Sequence, residues 1–210
     1  MGRPQIHDEK TRAALLDGAG RIVAEEGPAA LNLRRLADSV GASTQAIYTL
    51  FGGKEGLVRA MHREGFETLD RHLGAVAADD DPAAHLRGFM LAYRQSALEQ
   101  PHLYEVMFGC PFPEFAPSDD DQRLALGTLE RLRSALQRHT SVGTLAGHDP
   151  DQLTLQIWAL VHGLASLEIQ GALGHAERAE KIWTSAIDTM LTGLTSQANP
   201  SAATIDDAQR

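Results

Sequence analysis

Residues 41–57 read GASTQAIYTLFGGKEGL. Gly41 stops one helix, and a second restarts within three residues, runs two turns and stops at the Gly52–Gly53 pair. Lys54 then opens the next helix. An isolated helix this short is unstable in water, because nucleation is costly and few hydrogen bonds repay it. Its neighbours must therefore hold it and present it outward. That is how a helix-turn-helix offers its second helix to the DNA major groove.

Working outward, the pattern is helical almost throughout. Leu15, Ala19, Ile22 and Val23 recur at three and four from Glu9 to about Glu26, where Gly27 and Pro28 stop the helix. Asn32 suits an N-cap, with Leu33, Leu36, Ala37 and Val40 on one face and Gly41 at the end. Ser43 or Thr44 caps the short helix, whose inward side is Ala46, Ile47 and Leu50. A long helix from Lys54 carries Leu57, Val58, Met61, Phe66, Leu69, Leu73 and Val76, and AADDDP marks its end. Pro82 begins a helix with Leu86, Phe89, Met90 and Tyr93, and Pro101 opens a short apolar segment. PFPEFAPSDDD reads as a loop before a helix from Gln122 to about His139 with a Leu126, Leu129, Leu132, Leu136 stripe. After the loop SVGTLAGHDP, helices are expected over 151–171 and 177–194, and the tail after Thr195 is polar. No strand-like alternation occurs, so the fold class is all-α with about nine helices.

The bulk properties exclude several classes. The chain has 210 residues, 43% of them hydrophobic and 22% charged, enough to bury a sizeable core. Cys110 is its one cysteine, so no intramolecular disulfide or cysteine-based zinc site can form, which fits a reducing compartment. The opening MGRPQIHDEKTR lacks the apolar centre of a signal peptide, and no run reaches the roughly 18 apolar residues of a membrane span. A soluble, cytoplasmic protein is expected. Net charge is −9. Residues 1–60 hold eight Lys/Arg against seven Asp/Glu, while 61–210 hold eleven against twenty-one. The near-neutral front and acidic body permit DNA binding at one end without establishing it.

The last two helices are apolar over wider arcs than one side of a bundle covers. Leu153, Ile157, Trp158, Leu160, Val161, Leu164, Leu167 and Ile169 line the first, and Ile182, Trp183, Ala186, Ile187, Met190, Leu191 and Leu194 the second. A helix that apolar is either central in a large core or packed on another copy of the chain. Two such neighbours at the C-terminus suggest a four-helix interface across a two-fold axis, formed by about 151–171 and 177–194.

From Thr11 to about Met61 the chain resembles the tetracycline-repressor (TetR) family of bacterial transcription regulators. The match lies in the helix end at Glu26–Gly27, LRRLADSVGAS (33–43), Tyr48, Phe51, Lys54, Glu55 and Leu57. Trp158, His162 and Gly163 within WALVHGLASLEIQG, preceded by HLYEVMFG, resemble the Trp-His-Gly (WHG) type of C-terminal domain in that family. The resemblance implies that Thr44, Gln45, Ala46 and Thr49 face the groove, that Tyr48 and Lys54 hold phosphates, and that Arg34 reaches phosphate or a base edge. Leu50 stands where the family often has His, which removes one phosphate contact. The chemistry of these residues agrees. Gln pairs with adenine and Thr meets the thymine methyl, while Arg34, Tyr48, Lys54 and the amides opening the helix at Lys54 fix register. Arg34 and Arg35 are adjacent, so only one points to DNA. Arg3, Lys10 and Arg12 form either a basic arm or a solvated tail.

The resemblance further implies a helix-turn-helix domain at 1–53, a dimerisation and effector domain at 54–195 whose residues 54–78 form a linking helix, and a mobile tail at 196–210. It implies a homodimer acting as a repressor on a palindromic operator in double-stranded DNA, released by a small-molecule effector. Phe89, Tyr93, Met107, Phe108 and Trp158 fit the lining of an effector pocket, and equally the filling of a core. His162 fits a ligand contact or a hydrogen-bonded core histidine, and Gly163 permits close helix packing. No enzyme, cofactor or metal is expected. Gly18–Ala19–Gly20 starts like a dinucleotide fingerprint, but Val23 occupies the third glycine's place. GxxxxGK[ST], GxSxG and HExxH do not occur, the nine histidines lack metal-ligand spacing, and Cys110 near His102 is weak ground for a thiolate pair. The rivals are a helical ligand-binding protein or enzyme without a DNA role, and an interaction module whose helix-turn-helix docks on protein.

Overall fold

The structure is a computed structural model that describes residues 5–109, 112–141 and 145–197. Arg3, Cys110 and most of the expected tail, 198–210, lie outside the described residues. Those described form nine α-helices and no strand. They are α1 (Gln5–Glu26), α2 (Leu33–Ser39), α3 (Thr44–Phe51), α4 (Lys54–Gly74) and α5 (Pro82–Glu99), then α6 (Pro101–Phe108), α7 (Asp119–Ser141), α8 (Pro150–Ile169) and α9 (Ala176–Gln197). A 3-10 turn, Pro28–Ala30, follows α1. None of the described helices is long and apolar enough to cross a membrane.

The chain forms two compact units, Met1–Asp70 with Glu99–Leu126, and Arg71–Leu98 with Gly127–Arg210. In the first, α1 lays Leu15, Leu16, Ala19, Ile22 and Val23 on a core with Leu36, Ile47, Leu57 and Met61. A fully buried leucine or isoleucine of this kind contributes about 1.5–3 kcal/mol. Leu103 and Val106 of α6, with Phe112 just beyond it, belong to the same core. This is why packing groups 99–126 with the front of the chain, whereas a division at 53/54 follows the motif. Two glycines let α6 approach closely. A Cβ on Gly20 of α1 would lie 2.2 Å from the His102 ring, and one on Gly65 of α4 would lie 2.4 Å from the Met107 sulfur. His102 Nε2 also sits 3.2 Å from Asp17 of α1.

In the second unit, α8 and α9 are joined by a polar network centred on the half-buried Glu168. Trp183 is fully enclosed and donates from Nε1 to Glu168 Oε2 at 2.6 Å. Arg94 of α5 grips both oxygens of the same carboxylate, Nε at 3.0 Å and Nη2 at 2.8 Å, and also pairs with Glu180. Its guanidinium stands 5.4 Å from the centre of the Trp183 ring. His85 Nδ1 and His139 Nε2 share a hydrogen bond of 2.9 Å between α5 and α7.

Several boundaries differ from the sequence reading for local reasons. The linking helix ends at Gly74 rather than 78, at a residue of low helix propensity. Helix α7 begins at Asp119, not Gln122, because Ser118 caps it. The Asp121 amide donates to Ser118 Oγ at 3.3 Å, while the Ser118 amide and hydroxyl return bonds to the Asp121 carboxylate at 2.9 and 2.7 Å. The aspartates that looked like loop thus occupy a helix N-terminus, where negative charge is favoured. Helix α9 runs to Gln197, so the residues described at the start of the expected tail are helical. The α7 stripe is buried unevenly. Leu136 and Leu132 are buried, Leu129 is half-buried and Leu126 is 62% exposed. Spacings of three fall about 60° short of a full turn, so each earlier leucine rotates further from the core.

Candidate nucleic-acid interface

Each end of the two short helices is fixed by a local device. Asn32 Oδ1 accepts from the amides of Arg34 and Arg35 at 3.0 and 3.2 Å, starting α2. Helix α2 ends in a Schellman motif. Gly41 takes φ 68°, its amide donates to Asp38, and the Ala42 amide donates to Ala37 at 2.9 Å. Ser43 Oγ accepts from the Ala46 amide at 3.1 Å and starts α3. Gly52, at φ 78°, closes it by donating to the Tyr48 carbonyl at 2.9 Å. Gly53 then takes φ 126°, with the Tyr48 ring leaning within 3.5 Å of where its Cβ would be.

Ile47 pins α3 to the core with no exposed surface, while Ala46 and Leu50 are half-buried. The opposite side of α3 faces solvent. Gln45 and Thr49 are exposed, Thr44 is half-buried and Tyr48 is 53% exposed, unusual for so large a side chain. The Thr49 hydroxyl donates to the Gln45 carbonyl at 2.9 Å, which leaves its methyl group and lone pairs to meet a base edge. Lys54 is exposed at the first position of α4, with its ammonium 5.7 Å from the Phe112 ring.

The two arginines of α2 separate as their spacing demands. Arg35 forms a two-pronged pair with Glu26, one bond at 2.7 Å, and its guanidinium holds the Glu26 carboxyl below the usual carboxylate range. Arg34 is exposed and forms no ion pair with any described residue. Arg12 is not an arm residue. It sits in α1, 3.1 Å from Glu64 and 6.0 Å from the Phe51 ring. Lys10 is an exposed residue of the same helix.

Two features behind this surface were not singled out in the sequence. Gly56, in the first turn of α4, has no room for a side chain, since a Cβ would lie 1.7 Å from the Phe51 carbonyl oxygen. Its place in GGKEG was the visible hint. Asp121 is enclosed and receives Arg63 at 3.1 Å and Arg59 at 3.9 Å, so α7 braces α4. Burial pushes its carboxyl up, but the Ser118 hydrogen bonds together with Arg59 and Arg63 outweigh that and hold it below the usual range. A serine three residues before an aspartate was the available signal.

The expected effector residues divide between the units. Phe89 and Tyr93 are buried in α5, and Trp158 and His162 are half-buried in α8, all in the second unit. The Tyr93 hydroxyl and His162 Nδ1 are hydrogen-bonded at 3.2 Å, and the Trp158 ring lies 5.6 Å from the imidazole. Burial lowers the His162 proton affinity. Met107 and Phe108 are half-buried in the first unit, where Phe108 stacks near Tyr104 at 4.8 Å and Phe66 at 5.5 Å. No group of three or more potential metal ligands occurs among the described residues.

Comparison with known proteins gives this surface a context. Residues 15–61 match the family described as bacterial regulatory proteins, tetR family, and residues 86–190 match the tetracyclin repressor-like C-terminal domain. No curated protein matches the chain. Among solved structures, a Rhodococcus sp. RHA1 protein of unknown function is 26% identical, with a TM-score of 0.72 over 88% of this chain and 95% of the other. The TetR family transcriptional regulator PfmR of Thermus thermophilus is 22% identical, with a TM-score of 0.73 over 85% and 97%. AibR, solved in complex with isovaleryl coenzyme A and operator DNA, is 15% identical, with a TM-score of 0.68 over 88% and 98%.

Proposed function

The chain belongs to the tetracycline-repressor family of bacterial regulatory proteins, and on that premise we propose that it is a cytoplasmic homodimeric repressor released from DNA by a small molecule. The observation that carries the reading is the exposed side of α3. Gln45, Tyr48 and Thr49 stand in solvent on a helix anchored by Ile47, with Lys54 opening the helix that follows. Gln45 and Thr49 read bases, with Thr44 and Ala46 beside them. Arg34, Tyr48 and Lys54 bind phosphates and set register. The apolar surface left on α8 and α9 supports pairing of two chains. Leu155 and Leu167 are 57% and 45% exposed, and Trp158, Ile182, Ala186 and Met190 are half-buried. A two-fold pair sets recognition helices about 34–36 Å apart on a near-palindromic operator. An effector that favours a different spacing by ~1–3 kcal/mol changes occupancy about 5–150-fold. The protein acts by binding, without catalysis.

Fluorescence anisotropy with DNA from upstream of its own gene tests this. A sequence-preferring complex that weakens steeply with salt is expected. Lys54→Ala weakens binding to all sequences and lowers the salt slope by about 1 per contact, whereas Gln45→Ala relaxes preference at one base position. A protein that binds all duplexes alike, or none, would sink the proposal.

A further inference from the structure

His62 is placed on the inward side of α4 by its spacing from Val58 and Phe66, four residues before and after it, both buried. His62 is only 6% exposed, and its Nδ1 is shielded from solvent without a hydrogen-bond partner in the protein. Buried polar atoms left unpaired are few in native structures, and each calls for a reason. The surroundings supply one. The Phe66 ring lies 4.9 Å from His62 and the Phe115 ring 5.5 Å, and Phe66 continues through Phe108 to Tyr104. Aromatic walls around one convergent polar atom are the composition of a small-molecule site. Met107, Phe108 and Phe115 are half-buried, so the cluster has a rim that a ligand can reach. All of these residues lie within the first unit.

The chemistry of the ligand follows from charge. The cations that act on His62 already have carboxylate partners, Arg63 with the enclosed Asp121 at 3.1 Å and Arg59 with Glu55 at 3.2 Å and Asp121 at 3.9 Å, so an anion would have to compete for them. Burial first, then Arg63 and Arg59, push the His62 proton affinity down against the pull of Asp121, so the ring is neutral at physiological pH. A neutral imidazole nitrogen pairs with a hydroxyl, or with a carbonyl when it bears the proton. Resting on the reading of an effector-controlled regulator, we infer that His62 is the polar anchor of the effector site, and that the effector is a flat, mostly apolar molecule bearing an uncharged hydroxyl or carbonyl. The anchor stands eight residues, about 12 Å, along the helix that Lys54 opens, so a ligand held there acts on the DNA-facing helix itself.

The test uses the full-length protein and three probes, 2-naphthol, 1-acetonaphthone and 2-naphthoate. His62 is observed through its imidazole ¹⁵N resonances, identified by their loss in His62→Phe, and thermal unfolding is followed alongside. The naphthol or the ketone should shift the His62 resonances and raise Tm, while naphthoate does so at least tenfold less well. His62→Phe should bind the active probe about tenfold more weakly, the loss expected for one hydrogen bond, and His62→Gln should recover part of that loss. Unliganded His62→Phe should melt no lower than wild type, whereas a merely structural histidine would show a fall. The inference is overturned if no probe moves the resonances at millimolar concentration, if naphthoate binds as well as naphthol, or if His62→Phe binds unchanged. Operator binding measured on the same samples separates the two readings. A silent His62 in protein that binds operator removes this site alone, whereas absence of any operator complex removes the regulator reading.

Discussion

Replacing Gly56 with alanine tests whether the α3–α4 junction fixes the DNA-contacting groups. The new methyl group would lie 1.7 Å from the Phe51 carbonyl oxygen and 2.9 Å from its carbon, where real contacts do not fall below 3.0 Å. The obstacle is backbone, so no rotamer change relieves it. Phe51 ends α3 and Gly56 lies in the first turn of α4, so the two helices must separate by more than about 1 Å, comparable to strain seen in overpacked sites. Overpacking of this kind costs about 1–3 kcal/mol, or roughly 2–4 °C in Tm per kcal/mol for a chain of this size. The larger effect should fall on DNA. Tyr48 and Lys54 sit on opposite sides of the opened junction, and a contact to a charged phosphate is worth about 1.5–3 kcal/mol. Losing most of both predicts operator affinity lower by about 3 kcal/mol for each protomer of the dimer, on the order of 100-fold per half-site, with a salt slope reduced by about 1 per protomer. Gly127→Ala is the control. It is a mid-helix glycine with nothing within 4 Å of the added carbon, so stability should rise by roughly 0.5–1 kcal/mol with operator affinity unchanged. A folded Gly56→Ala protein that binds within threefold of wild type at every salt concentration would refute the reasoning.

Asn32→Ala removes the acceptor for two amides and should cost about 1 kcal/mol, read as a Tm lower by roughly 2–4 °C. Glu168→Leu leaves the half-buried Arg94 with only the exposed Glu180 for a partner and the enclosed Trp183 indole N–H with none. It should destabilise by about 3–5 kcal/mol in denaturant titration, while Arg94→Leu/Glu168→Leu recovers only part of that loss because the indole stays unpaired. His85 and His139 are held below the usual imidazole range, chiefly by burial, so the unfolded chain binds protons below about pH 6.5 that the folded one does not. Tm should therefore be flat above that value and fall beneath it, and the fall should be shallower in His139→Phe.

The head of the molecule was legible because each of its boundaries is written in one residue. Asn32, Gly41, Ser43 and Gly52 act where they were read, through bonds closing within six residues along the chain. Periodicity found the buried faces of α1 and α4 for the same reason. What the sequence hid depends on partners far along the chain. The His102 ring against Gly20 and the Met107 side chain against Gly65 pair residues more than 40 positions apart, and neither glycine has a turn to announce it. The same holds for α7, where DDD reads as loop until Ser118 is seen capping it and two arginines of α4 are seen holding Asp121. Aromatic spacing alone could not divide the expected effector residues into two units, because that division is made by α6 packing with the front of the chain.

How the histidines are partnered sharpens where a ligand should act. In the second unit the buried and half-buried polar groups answer one another: Tyr93 with His162, His85 with His139, Trp183 and Arg94 with Glu168. A ligand entering there would have to break a hydrogen bond before making one, and the net gain of such an exchange is small. His62 breaks nothing, because its Nδ1 is buried and unpaired at the start. A hydrogen bond formed there removes a standing penalty of about 1–3 kcal/mol, and if it forms only in the DNA-released conformation that gain is of the size that changes operator occupancy by one or two orders of magnitude. Comparing Tyr93→Phe with His62→Phe puts this to measurement. The first should leave probe affinity within about twofold while lowering Tm by the worth of one hydrogen bond, and the second should do the reverse. Equal losses of probe affinity in both would mean that the ligand draws on the second unit's polar groups, and the distinction between satisfied and waiting histidines would fall.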